Sequence, residues 1–377
     1  MRAILWNIDQ HKYNHHLSVL PKDCLYTNMR IFIPSLLLTL QNCDAFAPVP
    51  KPIVANALSI TSSKLGMGLF DNLPTLNPKP ATPKVSKPPD FIAPEPKPLT
   101  ITRLSSLPSL FSGALALASR LGTGVFVLGW NIETLFANPD SGKYALKLGP
   151  FSIRDTSTVL GEAPRPAVPL ILYEYEASPF CRRVREMINL LDLTVEYRPC
   201  PGARAGFSDE LFKLTGRRTV PYLMDPNTGV RMFESDNQIE YLLETYGPRD
   251  KSSYDKKALW PITTQAFALQ TSVIATQVRG YAGSMRQKNA RPDNEKMKAL
   301  ELWGYECSPF VKPVREKLSE LCLPHVMVSC SRGSLNRDKM MDKTGRFQVP
   351  FLVDPNTGIE MYESNEIVEY LDQVYTE

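Results

Sequence analysis

The chain has 377 residues, 43% hydrophobic and 22% charged, enough for two or more globular units and unlike a wholly disordered protein. Its net charge of +4 comes with no basic stripe and no interleaved aromatic set, so nothing points to nucleic acid. Seven cysteines include no C-x-x-C pair, which excludes a zinc ribbon and the usual dithiol; their odd number reads as free thiols in a reducing compartment. Of four histidines, His11, His15 and His16 lie near the N-terminus, so Ser-His, Cys-His and His-metal chemistry have almost no raw material in the folded part. The remaining one, His325, follows Pro324 at a predicted strand start and reads as a solvated loop residue.

In chain order, Met29-Arg30 precedes an apolar run from Ile31 to Leu40 and then Cys43-Asp44-Ala45, the pattern of a signal peptide too short to span a membrane. Residues 1–28 are either an upstream extension or an unusually long leader. Phe46-Ala47-Pro48 resembles the junction of bipartite plastid presequences in algae, which makes 1–45 leader and signal and 46–100 a Pro-rich, disordered transit peptide. Plastid import is therefore expected. Residues 101–167 form a helical or irregular extension, in which 109–137 is an amphipathic or packing helix interrupted by Arg120. Gly122-Thr123-Gly124 is no dinucleotide fingerprint, because no strand precedes it.

From Leu172 onward a cassette occurs twice. Leu172-Tyr-Glu-Tyr, Ser178-Pro179-Phe180-Cys181, Val220-Pro221, Asp225-Pro-Asn-Thr-Gly229 and Glu234-Ser235 return as Leu302-Trp-Gly-Tyr, Ser308-Pro309-Phe310-Val311, Val349-Pro350, Asp354-Pro-Asn-Thr-Gly358 and Glu363-Ser364. The offset is 130 residues up to Cys200/Cys330 and 129 from Gly216/Gly345, so one loop residue is deleted. Each copy is long enough to be a complete small domain. Val184, Ile188 and Leu191, matched by Val314, Leu318 and Leu321, share one helical face after a short apolar strand. A second strand, a polar helix, a hairpin around Asp-Pro-Asn-Thr-Gly and a last helix complete the order βαβαββα. The domains are predicted at 168–248 and 299–377, joined by a helical linker at 249–298.

Ser-Pro-Phe at the first helix, Val-Pro before the hairpin and Glu-Ser before the last helix resemble the thioredoxin-like N-terminal domain of glutathione transferases. The tandem arrangement is similar to plastid proteins of plants and algae with two such domains. The resemblance implies two α/β domains in tandem, each with a mixed four-stranded sheet of order 2-1-3-4, and glutathione as ligand or substrate, with no metal. A complete all-helical transferase domain, which supplies the electrophile pocket, is not expected here: about fifty residues separate the copies and the second ends at Glu377.

By this resemblance, Ser178 and Ser308 are candidate catalytic residues, each donating a hydrogen bond to the glutathione sulfur beside a helix N-terminus. Ser-Pro is equally an ordinary cap and first-turn pair. Cys181 holds the resolving position of a glutaredoxin whose first cysteine is missing, and is either reactive or a buried structural thiol. Cys200, at the end of the second strand, is its candidate redox partner; Cys330 faces Val311 and has only Cys307 to pair with, and Cys322 reads as core. Val220-Pro221 and Val349-Pro350 match the family's cis-proline, which pairs with the glutathione backbone, and Glu234-Ser235 and Glu363-Ser364 match the pair that holds its γ-glutamyl group. The bland reading of the last pair is a helix cap, with Ser235 and Gln238 forming a capping box. Arg185-Glu186 and Arg315-Glu316 read as solvated or inter-element ion pairs.

The expected function is glutathione binding with transferase or glutaredoxin-like thiol-disulfide chemistry on an unknown electrophile or disulfide. The rival from another class is a non-catalytic scaffold or ligand-binding module. A third reading is a membrane-associated isomerase resembling prostaglandin E synthase, with peripheral membrane contact through 109–137 or 259–278.

Overall fold

The computed structural model describes residues 84–97, 104–135, 144–148, 151–202 and 204–377; the signal peptide and most of the presequence assigned above lie outside them. A helix α1 (Leu107–Ser119) is followed by strands β1 (Trp130–Leu135), β2 (Leu146–Leu148) and β3 (Phe151–Ser157). Repeat 1 is β4 (Leu170–Glu174), α2 (Pro179–Leu190), β5 (Val195–Pro199), α3 (Ser208–Thr215), β6 (Tyr222–Met224), β7 (Arg231–Met232) and α4 (Ser235–Tyr246). After a short α5 (Trp260–Thr263) and α6 (Gln265–Val278), repeat 2 is β8 (Leu300–Gly304), α7 (Val311–Glu320), β9 (His325–Ser329), α8 (Asn336–Thr344), β10 (Phe351–Asp354), β11 (Ile359–Tyr362) and α9 (Ser364–Tyr375). Among the described residues no helix is long and apolar enough to cross a membrane.

Each repeat folds for reasons visible in its residues. Strand alternation turns Leu170 and Leu172 toward Val184, Ile188, Ile239 and Leu242 of α2 and α4, and Ile171 and Tyr173 toward Leu211 of α3. Each fully buried aliphatic side chain contributes about 1.5–3 kcal/mol. Gly216 and Gly345, at φ 73° and 74°, end α3 and α8 in the left-handed conformation that a residue without Cβ adopts freely. The Asp-Pro-Asn-Thr-Gly loop is a staple: Asp225 Oδ2 accepts the hydroxyls of Tyr241 and Tyr246 from α4 at 2.6 and 2.5 Å, and Asn227 bonds the backbone of Val168 just before β4. Asp354, Tyr370, Tyr375, Asn356 and Lys298 repeat the arrangement.

The four-stranded sheets have the expected order, and they join. Edge strands β5 and β9 pair antiparallel, giving one eight-stranded sheet of order β11-β10-β8-β9-β5-β4-β6-β7. Val195 faces Met327, Glu196 faces Val326 and Tyr197 faces His325. Because equivalent residues differ by 130, Glu196 meets its own counterpart and a pseudo-twofold axis passes between them. This corrects the reading of His325, which lies in a strand, 1% exposed, its ring 5.4 Å from that of Tyr197 and its Nδ1 3.0 Å from the Leu323 carbonyl.

The repeated ion pairs on the first helices are buried rather than solvated. Arg185 bonds Glu306 of the other repeat at 2.9 and 3.1 Å, and Arg315 reciprocates with Glu176 at 2.8 Å. Each arginine also reaches its own repeat's glutamate, Arg185 to Glu176 at 3.4 Å and Arg315 to Glu306. Glu174 and Lys312 complete the cluster. Burial pushes the Glu174 carboxyl up against the pull of Arg185, whereas for Glu176 the charges of Arg185, Arg315 and Lys312 outweigh burial and hold it below the usual carboxylate range.

The symmetry extends further than the cassette. Arg120, after α1, binds Glu186 at 2.9 Å and reaches Thr271 of α6; Arg279, after α6, binds Glu316 at 2.7 Å and reaches Ser112 of α1 at 2.5 Å. Arg120/Arg279, Ser112/Thr271, Ala116/Ala275 and Gly124/Gly283 are all 159 residues apart. The extension and the linker thus contribute one equivalent helix each, and these pack on one another. The 29 residues by which this offset exceeds 130 are occupied by the β1-β3-β2 sheet, an element absent from the sequence reading. Gly124 and Gly283, with φ 84° and 77°, lie over Glu306 and Glu176; a Cβ on Gly283 would come within 2.7 Å of the Glu176 Cβ.

Glu306→Gln keeps the shape but removes the charge facing two buried guanidinium groups, and should cost about 3–5 kcal/mol in urea denaturation; an unchanged midpoint would refute the cluster's role. His325 is held neutral by burial, its pKa lowered from 6.5 to about 4, with the nearby Arg315 charge acting the same way. The unfolded chain therefore binds the extra proton below about pH 6.5, and stability should fall by up to about 3 kcal/mol as pH drops through 4. His325→Phe should remove that part of the pH dependence; parallel curves for the two proteins would contradict it.

Candidate functional site

In repeat 1 the serine of Ser-Pro-Phe caps the first helix, and in repeat 2 it makes the same bond to Val311, where α7 begins. Ser178 Oγ accepts the N–H of Cys181 and Ser308 Oγ that of Val311, both at 3.3 Å. The serines are 2% and 1% exposed, because the equivalent helices cover them. Thr276 of α6 donates to the Ala177 carbonyl at 2.9 Å, and Gly113 of α1 approaches so closely that an added Cβ would stand 3.2 Å from Pro309. The two hydroxyls expected to hold a sulfur lie in the interior in this arrangement.

The cysteines are likewise enclosed. Cys181 is fully buried, and burial, with the Glu174 charge adding to it, pushes its thiol up to about 12. Cys200 packs with Tyr173, Phe207, Leu211 and Tyr222 on the α3 side of the sheet, while Cys181 opens α2 on the opposite side. Both are free, as are Cys307, Cys322 and Cys330; Cys307 is half-buried and the other two are buried. Val311, in the place of Cys181, fits against Gly304, where a Cβ would stand 2.8 Å from its methyl groups. The lost thiol and the glycine opposite it form one packing unit.

The other half of each frame is more open. Val220-Pro221 and Val349-Pro350 are cis, and both valines are half-buried. Glu234 and Glu363 precede α4 and α9 with φ/ψ of 65°/113° and 73°/115°. Such a conformation costs a side-chain-bearing residue about 1–3 kcal/mol, and outliers of this kind gather at ligand clamps. The expected capping box is not formed: Gln238 instead bonds the Pro221 and Met232 carbonyls, both at 3.0 Å, tying the proline turn to the Glu-Ser turn.

Arg183, fully buried on α2, escaped the sequence reading. It donates to Ser235 Oγ at 3.2 Å, to Asp236 at 2.6 Å and to the Ile262 carbonyl at 3.1 Å. Repeat 1 thus has a cation under the start of α4, where the N-terminal N–H groups of a helix already favour an anion. Pro313 takes that place in repeat 2. The one signal available was this arginine-for-proline difference between otherwise similar helices.

Two segments, 172–250 and 302–377, match the family model of the glutathione S-transferase N-terminal domain. The chain therefore holds two glutathione-transferase-related, thioredoxin-like modules. Among solved structures it is similar to an epsilon-class glutathione S-transferase from the housefly Musca domestica, at 30% identity over 26% of this chain and 44% of that one, TM-score 0.21. A Bombyx mori glutathione transferase matches at 27% identity over 25% and 42%, TM-score 0.20. Leishmania TDR1, a trimeric glutathione transferase, matches at 16% identity over 56% and 68%, TM-score 0.22. The chain spans less than half the length of the two insect enzymes. None of the curated proteins matches it.

Alkylation of the native protein at pH 8, read by mass spectrometry, should leave Cys181, Cys200, Cys322 and Cys330 unlabelled until denaturant is added. Rapid labelling of Cys181 would show that its thiol is accessible and restore the glutaredoxin-like role.

Proposed function

We propose that this protein binds glutathione at the Glu234-Ser235 turn of repeat 1 and holds it without activating its sulfur. The observation that carries this reading is the left-handed glutamate kept before the last helix in both copies, which helix capping does not require. In repeat 1 the γ-glutamyl carboxylate would meet the N-terminal N–H groups of α4, the Ser235 hydroxyl and the charge of Arg183 beneath it, while the exposed Glu234 carboxylate faces the ammonium. The half-buried Val220, beside Pro221, offers its backbone to the peptide part.

The sulfur end has no matching support. Conjugation needs a hydroxyl or charge that stabilises the thiolate, and disulfide exchange needs an accessible thiolate on the protein. Ser178, Ser308 and Cys181 are sealed beneath α6 and α1 or in the core, which favours a ligand-binding module over a transferase or a thiol oxidoreductase.

Calorimetric titration with reduced glutathione should give binding, and S-methylglutathione should bind equally well. Glu234→Ala should weaken both by at least about tenfold, the loss of one charge-assisted contact. Glutathione-dependent turnover of an electrophile or a disulfide, abolished by Ser178→Ala or Cys181→Ser, would overturn the proposal in favour of catalysis.

A further inference from the structure

Repeat 2 carries the same Glu-Ser turn, but its acid is already engaged. Glu363 Oε1 accepts the backbone N–H of Lys97 at 2.6 Å and the side-chain amide of Gln348 at 2.8 Å, whereas Glu234 is exposed. Lys97 ends a segment, 84–97, that the sequence reading placed in the disordered transit peptide but that runs along repeat 2, because its apolar residues find the core. The Phe91 ring lies 5.1 Å from that of Tyr370 on α9, and Val85, Phe91 and Ala93 are partly buried against the core. Tyr370 is itself fixed by its hydrogen bond to Asp354 at 2.6 Å, so Phe91 rests on a rigid support. Pro88, Pro89, Pro94 and Pro96 each fix one backbone angle, which lowers the entropy lost when the segment lies down, and a turn closed by the Phe91 N–H on the Pro88 carbonyl at 3.1 Å sets the Phe91 ring against the repeat.

We infer that residues 84–97 form a tethered strap that closes the glutathione frame of repeat 2, Lys97 presenting its N–H to Glu363 where a ligand's ammonium would sit. The inference rests on the reading of the Glu-Ser turn as a glutathione frame. A tethered segment acts at an effective concentration of about millimolar, so free ligand must compete with it, whereas among the described residues no such segment lies on the turn of repeat 1. The same stretch of chain closes both ends of repeat 2: the strap lies on Glu363, and α1, a few residues later, lies on Pro309. In repeat 1 the chain entering α6 continues from that repeat's own last helix; Gln265, the first residue of α6, reaches Asp236 at 2.7 Å, and the Glu234 carboxylate stays exposed.

The test is titration of the full-length protein and two variants with reduced glutathione. Lys97→Pro removes the N–H while preserving an extended chain, and Phe91→Ala removes the anchor. Wild type should bind one glutathione per chain and each variant two; adding Glu234→Ala to Lys97→Pro should return the count to one. Two sites in wild type, or one in both variants, would overturn the strap. No binding by any of the proteins would instead remove the glutathione reading itself. Hydrogen exchange supplies a readout that needs no variant: the Lys97 amide should be protected in the free protein and exchange faster at saturating glutathione, and protection that glutathione leaves unchanged would also refute the strap.

Discussion

The reciprocal pairing of Arg185 with Glu306 and of Arg315 with Glu176 is the constraint on which the rest depends. A buried charge is costly unless its partner is present, and here Arg185, Arg315, Glu176 and Glu306 each find a partner in the other repeat. Neither module can bury this face alone. The apolar cores supply most of the stabilisation, while the charges fix how the two cores meet. Glu176 and Glu306 stand two residues before Ser178 and Ser308. The turn that could have held a sulfur is therefore the turn that makes the interface, and α1 and α6 close over it with their own reciprocal pairs, Arg120 with Glu186 and Arg279 with Glu316.

Much of the architecture was legible in the residues. Two ordered motif sets, period-two strands and one-faced helices give each βαβαββα module, and Asp-Pro-Asn-Thr-Gly marks its hairpin. The joining of the sheets was not legible, because alternation along β5 and β9 tells which residues face each core and nothing about which edge partners they take. The burial of Arg185, Arg315 and Glu186 was hidden for a related reason. Charged residues are ordinarily exposed, and the partners that bury these lie 121, 139 and 66 residues away in the chain.

The equivalence of α1 and α6 escaped notice because little but a small-residue face, an arginine and a glycine is shared, and because the β1–β3 insertion changes the offset. In the candidate site, the positions of the cis-prolines and Glu-Ser turns followed from the motifs. Accessibility did not, since the helices that cover the serines belong to segments with no recognisable motif. His325 shows the same limit: a lone imidazole after proline reads as solvated until a second strand is placed against it.

The pseudo-twofold axis has a consequence for how the copies diverged. In a symmetric dimer of one such unit, the residue at the axis would face its own copy, and two glutamates directly opposite one another on paired strands repel. With both copies in one chain, that residue can differ from its mate, and Glu196 faces Val326. The same freedom runs through the pairs Cys181/Val311, Glu174/Gly304 and Arg183/Pro313, each of which alters one half without imposing the change on the other. An interface that would have to be self-complementary between identical copies has two distinguishable sides within one chain: the Glu234 turn of one half is exposed, while the matching Glu363 turn of the other receives the N–H of Lys97 from the chain's own N-terminal segment.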